Sequence, residues 1–125
     1  MAKVLICEDE AVVALDLQIF LEDAGFEVIG SFPTRSGALS AIGSMNPDLA
    51  VLDVRLADGE VFPVAERLKD MGVGLVFHSG HLKRHDVSGE YPDAEFCMKP
   101  VAPDTLIAAL NRLDARTAAA PGALG

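Results

Sequence analysis

Apolar positions recur along this chain with two different periods. Short unbroken apolar runs alternate with stretches where apolar residues return every three or four positions. Lys3-Val4-Leu5-Ile6-Cys7 is the first run, and it ends on Glu8-Asp9-Glu10. Val13, Leu17, Phe20, Leu21 and Ala24 then follow at helical spacing, with Asp16, Gln18, Glu22 and Asp23 on the other side. Gly25 is placed to close that helix. Phe26 to Gly30 reads as a second strand, and Thr34 or Ser36 as the cap of a helix over Ala38, Leu39, Ala41 and Ile42. Asn46-Pro47-Asp48 is a turn signal before Leu49-Ala50-Val51-Leu52-Asp53. This third run is apolar up to an abrupt carboxylate, the pattern of a strand buried on both faces.

Val54 to Gly59 reads as a loop. Val61, Val64, Ala65, Leu68 and Met71 predict a helix that tolerates Pro63 in its first turn and stops at Gly72. Val73 to Phe77 is a fourth strand, followed by His78-Ser79-Gly80. Residues 81 to 93 are polar and carry only a weak helix signal. Ala94 to Met98 is a fifth strand that ends on Lys99-Pro100. Asp104 to Arg116 is a last helix with Leu106, Ile107, Leu110 and Leu113 inward, and Thr117 to Gly125 is expected to be a disordered tail. Strand then helix, five times, predicts a doubly wound α/β fold. The expected form is the flavodoxin-like (βα)5 arrangement, a five-stranded parallel sheet in the order 2-1-3-4-5.

Composition narrows the function classes. A chain of 125 residues, half of them apolar, is one domain with ample core. A net charge of -9 argues against nucleic acid and against anionic membrane surfaces. The longest apolar stretches are strand-length, and the N-terminus lacks a charged-then-apolar leader pattern, so the expected location is cytoplasmic. Cys7 and Cys97 lie in strand-like segments without a CxxC or Cys/His neighbour. They read as buried thiols rather than a bridge or a zinc site.

Chemistry in such a sheet gathers beyond the carboxyl ends of the strands. In the order 2-1-3-4-5, those ends bring together Glu8 and Asp9, Asp53, Ser79 and Lys99. Three carboxylates in one place repel one another unless a cation sits among them. A hard dication such as Mg²⁺, held by carboxylates, a backbone carbonyl and waters, suits that set.

These residues, in this order and spacing, resemble the receiver domain of two-component response regulators, from about Lys3 to Arg116. The resemblance implies a signalling module rather than an enzyme, with a receiver domain over 1–116 and a tail over 117–125. It implies that Asp53 accepts a phosphoryl group from a sensor histidine kinase or a histidine phosphotransfer protein, with an unknown protein target downstream. Glu8, Asp9, Asp53 and the Arg55 carbonyl would hold Mg²⁺. Lys99 would offer a point charge to the phosphoryl oxygens. Ser79 would donate a hydrogen bond to them, and Phe96 would repack as the switch. A cis Lys99-Pro100 peptide is expected on the same ground. Phe77-His78-Ser79-Gly80-His81 and Val61-Phe62-Pro63-Val64-Ala65 look like a receiver subgroup with a Phe-Ala-Thr-Gly motif, with His78 and Ser79 in place of Ala and Thr. The loop after Asp53 departs from the family pattern, being short and without proline.

Each residue also has a plainer reading. Glu8 and Asp9 suit a helix start. Asp53 fits a helix-entry cap, although Asp58 serves that place better. Ser79 alone is a turn residue, Lys99 a solvated charge and Phe96 a core aromatic. His78, His81 and His85 read as part of a solvated loop. An aspartate-nucleophile phosphatase of the haloacid-dehalogenase type would need a second acid where Arg55 stands. A nucleotide or flavin binder would need a phosphate loop where Glu8-Asp9-Glu10 stand. A receiver-like module that binds without phosphorylation is the remaining alternative.

Overall fold

In the computed structural model, residues 1–80 and 88–119 are described, with side chains through 116. The expected weak helix falls partly on residues 81–87, outside that range. Residues 88–90 and 92–93 form turns rather than helix.

The elements in chain order are β1 (Lys3–Cys7), α1 (Ala11–Asp23), β2 (Glu27–Phe32), α2 (Arg35–Ile42) and β3 (Leu49–Asp53). A short hairpin follows, β4 (Arg55–Leu56) with β5 (Gly59–Glu60), and then α3 (Phe62–Asp70). The chain continues through β6 (Gly74–Ser79), β7 (Glu95–Met98) and a last helix α4 (Pro103–Ala119). β2, β1, β3, β6 and β7 make one parallel sheet in that order. With the hairpin set aside, this is the expected order 2-1-3-4-5.

Each face of the sheet has its own core, because successive strand residues point to opposite sides. Leu5, Cys7, Ala50, Leu52, Leu75 and Phe77 pack under α2 and α3. Val4, Ile6, Leu49, Val51, Val76 and Cys97 pack under α1 and α4. β3 lies between β1 and β6 and all five of its residues are buried, as its unbroken apolar run requires. α1 closes at Gly25, whose φ of 95° suits a residue without Cβ, while the Phe26 N–H reaches back to the Leu21 carbonyl.

Several boundaries differ from expectation. β2 starts one residue later and runs to Phe32, because pairing with β1 continues as far as Cys7↔Phe32. β6 extends to Ser79, because β7 continues the ladder through Ser79↔Met98. α4 runs three residues past Arg116, so the expected tail begins as helix. Met71 caps α3 and is 39% exposed instead of facing the core.

The larger correction is the stretch after Asp53. It is a hairpin, not a loop. Gly59 takes φ 138°, and a Cβ there would lie 2.9 Å from the Arg35 guanidinium. Asp58 does not cap α3. It reaches across to α2, where its carboxylate accepts from the backbone N–H groups of Arg35 (2.6 Å) and Ser36 (3.1 Å). Thr34 is the N-cap of α2, its hydroxyl accepting from the Gly37 N–H at 3.1 Å. Those amides hold the Asp58 carboxyl below its ordinary pKa. A carboxyl depressed by folding adds stability above its unfolded pKa and loses it as pH falls through the folded one. Asp58→Asn is therefore expected to flatten the acid limb of a Tm-against-pH curve and leave the neutral limb unchanged in shape.

Candidate functional site

Asp53 ends the central strand and is 6% exposed. Its Oδ1 accepts from the Arg55 N–H at 3.3 Å and its Oδ2 from Lys99 Nζ at 3.0 Å. Glu8 follows β1, and its N–H donates to the Phe32 carbonyl of β2. Its side chain turns fully inward: Oε2 accepts from the Glu10 N–H at 3.0 Å and Oε1 from Lys99 Nζ at 2.8 Å. Lys99 follows β7, with its N–H on the Ser79 carbonyl and a cis bond to Pro100. One ammonium thus bridges two carboxylates carried by two other strands.

Burial dominates the electrostatics. It pushes the Glu8 carboxyl up to about 7, with the Asp53 charge acting the same way and the Lys99 and Glu10 hydrogen bonds opposing. For Lys99, burial works against the charged form, but the two carboxylates outweigh it and raise its pKa.

Glu8, Asp9 and Glu10 each offer a carboxylate oxygen, all within 4.8 Å of one another. Asp9 and Glu10 are exposed and Glu8 is buried. Asp53, expected among the metal ligands, is not in this group, since its oxygens face Lys99 and the Arg55 amide. Glu10, which sequence reasoning did not single out as a ligand, is. The Arg55 backbone reaches the site through its N–H, which donates to Asp53 Oδ1. The Val61 N–H bonds the Val54 carbonyl, so alternation along the antiparallel ladder turns the amide and carbonyl of Arg55 away from β5. An all-oxygen, mostly anionic set of this kind fits a hard dication.

Ser79 is buried at the end of β6, opposite Met98. Phe96 is half-buried and stacks on Phe77, with ring centroids 5.8 Å apart. Phe77 also meets Phe62 and Tyr91 edge-on or tilted, so an aromatic cluster lies directly under the strand end that carries Ser79. His78 is the residue that sequence reasoning misplaced. It is buried in β6 rather than in a solvated loop, on the same face as Val76, with Nε2 3.8 Å from Glu8 Oε1. Strand alternation would have found it had the strand been extended two residues. His81 and His85 lie outside the described residues.

The fold agrees with what known proteins show. The profile of the response regulator receiver domain family matches residues 4–111. The phyllosphere-induced regulator PhyR of Methylorubrum extorquens is 34% identical over 114 residues, covering 88% of this chain and 42% of that protein. The two-component response regulator PprB of Pseudomonas aeruginosa is 32% identical, covering 91% and 44%. The chain thus spans less than half the length of these relatives. Among solved structures, the response regulator PhyR from Brucella abortus superposes with a TM-score of 0.79 at 30% identity, covering 97% of this chain and 52% of that one. A response regulator receiver protein from Sinorhizobium medicae gives 0.80 at 28%, covering 90% and 93%. Among the described residues no helix is long and apolar enough to cross a membrane. With Asp53, Glu8 and Lys99 gathered at the carboxyl edge of one sheet and the match running through nearly the whole of it, this chain belongs to the response regulator receiver domain family and is a receiver of two-component signalling.

Proposed function

We propose that Asp53 is the phosphoacceptor, and that a sensor histidine kinase or a histidine phosphotransfer protein is its donor in the cytoplasm. The observation that carries this reading is the Asp53 carboxylate at the end of the central strand, paired at 3.0 Å with the Lys99 ammonium. An Asp53 oxygen attacks the phosphorus of a phosphohistidine. The N–P bond breaks as the C–O–P linkage forms, and the imidazole nitrogen leaves with the electron pair and takes a proton from solvent. Lys99, already at Oδ2, faces the charge brought by the phosphoryl oxygens. Mg²⁺ held by Glu8 and Asp9, with the Arg55 carbonyl, would supply further charge neutralisation. Glu10 joins those acids. Val12, Leu15 and Ile19 are exposed at helical spacing on α1, which supports docking of a protein donor beside Glu10.

The switch in this reading is Ser79 with Phe96. Ser79 shares a backbone bond with Lys99, and Phe96 stacks on Phe77 two residues before Ser79. A hydrogen bond from the Ser79 hydroxyl to the new phosphoryl group would shift that strand end and repack the ring, changing the surface offered to a downstream protein. The test is a set of amide spectra with Mg²⁺ and beryllofluoride. Shifts at Ser79, Phe96 and Lys99 are expected, and they vanish in Asp53→Asn and on chelation. A wild-type spectrum that does not move would overturn the reading, and shifts that survive chelation would remove Glu8 and Asp9 from it.

A further inference from the structure

The β4–β5 hairpin follows Asp53 directly, and little within it holds its shape. Its strands pair only as Arg55↔Glu60 and Leu56↔Gly59, and they join no larger sheet. A two-stranded hairpin is at best marginally stable alone in water. Its base is fixed by the buried Leu56 and by the Val61 N–H on the Val54 carbonyl. Its tip is held from outside, by the start of α2. The Asp58 carboxylate accepts from the Arg35 and Ser36 N–H groups, donors that a helix start cannot satisfy by itself. In the same place the Ala57 N–H donates to the Pro33 carbonyl at 3.0 Å. The Arg35 guanidinium donates to the Asp58 and Glu60 carbonyls at 3.3 and 3.4 Å. Gly59 leaves that guanidinium room to lie against the hairpin.

We propose that Asp58 is a positioning residue for Asp53: it clamps the hairpin to α2 and so holds the Asp53 carboxylate in the orientation that takes a phosphoryl group. The inference rests on Asp53 as the phosphoacceptor. The chain of contacts is short. Asp58 fixes the tip, and the tip closes the pairs Leu56↔Gly59 and Arg55↔Glu60. The Arg55 N–H then donates to Asp53 Oδ1 at 3.3 Å, while Lys99 holds Oδ2 at 3.0 Å. With both oxygens held, the nucleophile is oriented before the donor arrives, which lowers the entropy cost of reaction. Without the clamp, Lys99 still holds one oxygen, but the amide on the other moves with the hairpin. Asp58 itself bonds α2, and it acts on Asp53 through the backbone of Arg55. A purely structural role is already filled. Thr34 is the N-cap of α2, so what Asp58 adds is the tie between that helix and the hairpin.

The experiment measures beryllofluoride affinity of the full chain at saturating Mg²⁺. Asp58→Ala is expected to weaken binding about tenfold, within the loss that a small misplacement of a reacting group causes. Asp58→Asn keeps an oxygen that accepts from the same N–H groups and should recover most of that loss. Arg35→Met leaves those backbone bonds in place, removes the guanidinium from the hairpin, and should weaken binding in the same direction by less. Thr34→Ala is the control: it removes the cap of the same helix without touching the hairpin, so it should lower Tm and leave the affinity unchanged. Coupling between two sites is reciprocal, so beryllofluoride should in turn slow amide exchange at Arg35 and Ser36 in wild type. If Asp58→Ala does not fold, Arg35→Met and the exchange rates decide. Wild-type affinity in Asp58→Ala or Arg35→Met, an equal loss in Thr34→Ala, or unchanged exchange at Arg35 and Ser36 would overturn the inference and leave Asp53 as the phosphoacceptor. Wild type that binds no beryllofluoride removes the phosphoacceptor reading, and this inference with it.

Discussion

Lys99→Met is expected to lower the unfolding free energy by about 2 to 3 kcal/mol at pH 7 in metal-free buffer, measured by urea denaturation. The reason is the pair of carboxylates left behind. Glu8 is wholly buried and Asp53 nearly so, and Lys99 donates to both. Removing one partner of a buried ion pair leaves an uncompensated charge, at a cost of about 3 to 5 kcal/mol when all groups are sealed from water. The Lys99 side chain is 22% exposed, so solvent already screens part of its attraction and the lower figure applies. The pH dependence checks the cause. The folded Glu8 carboxyl titrates near 7, above its unfolded value of 4.5, so its protonated form favours the folded state as pH falls. Lys99→Met also removes the hydrogen bond that lowers this carboxyl, so its pKa rises further in the variant, and the deficit should grow as pH rises above 7 and shrink as pH falls to 7 and below. A Glu8→Gln/Lys99→Met double variant should recover much of the loss at pH 7. A deficit that stays constant with pH would mean that packing of the lysine stem, not charge, was lost.

Phe77→Ala is expected to cost more, about 3 to 5 kcal/mol, because it removes a fully buried ring and leaves a cavity that the sheet cannot close. Phe77 sits in β6 between β3 and β7, and its ring meets Phe62, Tyr91 and Phe96. The same substitution should reach the site. Phe96 loses its stacking partner, and the strand end carrying His78 and Ser79 loses the ring beneath it. Amide exchange at 78, 79, 96 and 97 is expected to quicken more than exchange in β1. Phe77→Leu, which keeps most of the volume, should cost less than half as much. Equal quickening in β1 and β6 would show that the loss is global and that the cluster does not hold the site separately.

Much of this architecture was readable from one dimension. Unbroken apolar runs marked the central strands, because a strand covered on both faces has no polar position to offer. Helical spacing marked the helices, and a sheet order that obeys right-handed crossovers then brought Glu8, Asp53 and Lys99 to one edge. Those three do meet, through the Lys99 ammonium. The turn residues were harder. Asp58 read as a cap for the helix that follows it, and it caps α2 instead, because a carboxylate at a tight hairpin tip can serve whichever helix start folding brings near. Two-residue strands such as β4 and β5 carry no period to detect.

The chain by itself determined the kind of fold, the strand ends where chemistry gathers, and the residue types waiting there. These follow from periodicity and from the handedness of crossovers, which are local rules. Only the tertiary structure decided the partners. It turned Glu8 inward onto Lys99, brought the Glu8, Asp9 and Glu10 carboxylates within 4.8 Å of one another, and buried His78 in β6 with neither ring nitrogen hydrogen-bonded among the described residues. Burial and distance are properties of several strands at once. A histidine at the end of an apolar run reads the same on paper whether the next strand stops before it or pairs beyond it.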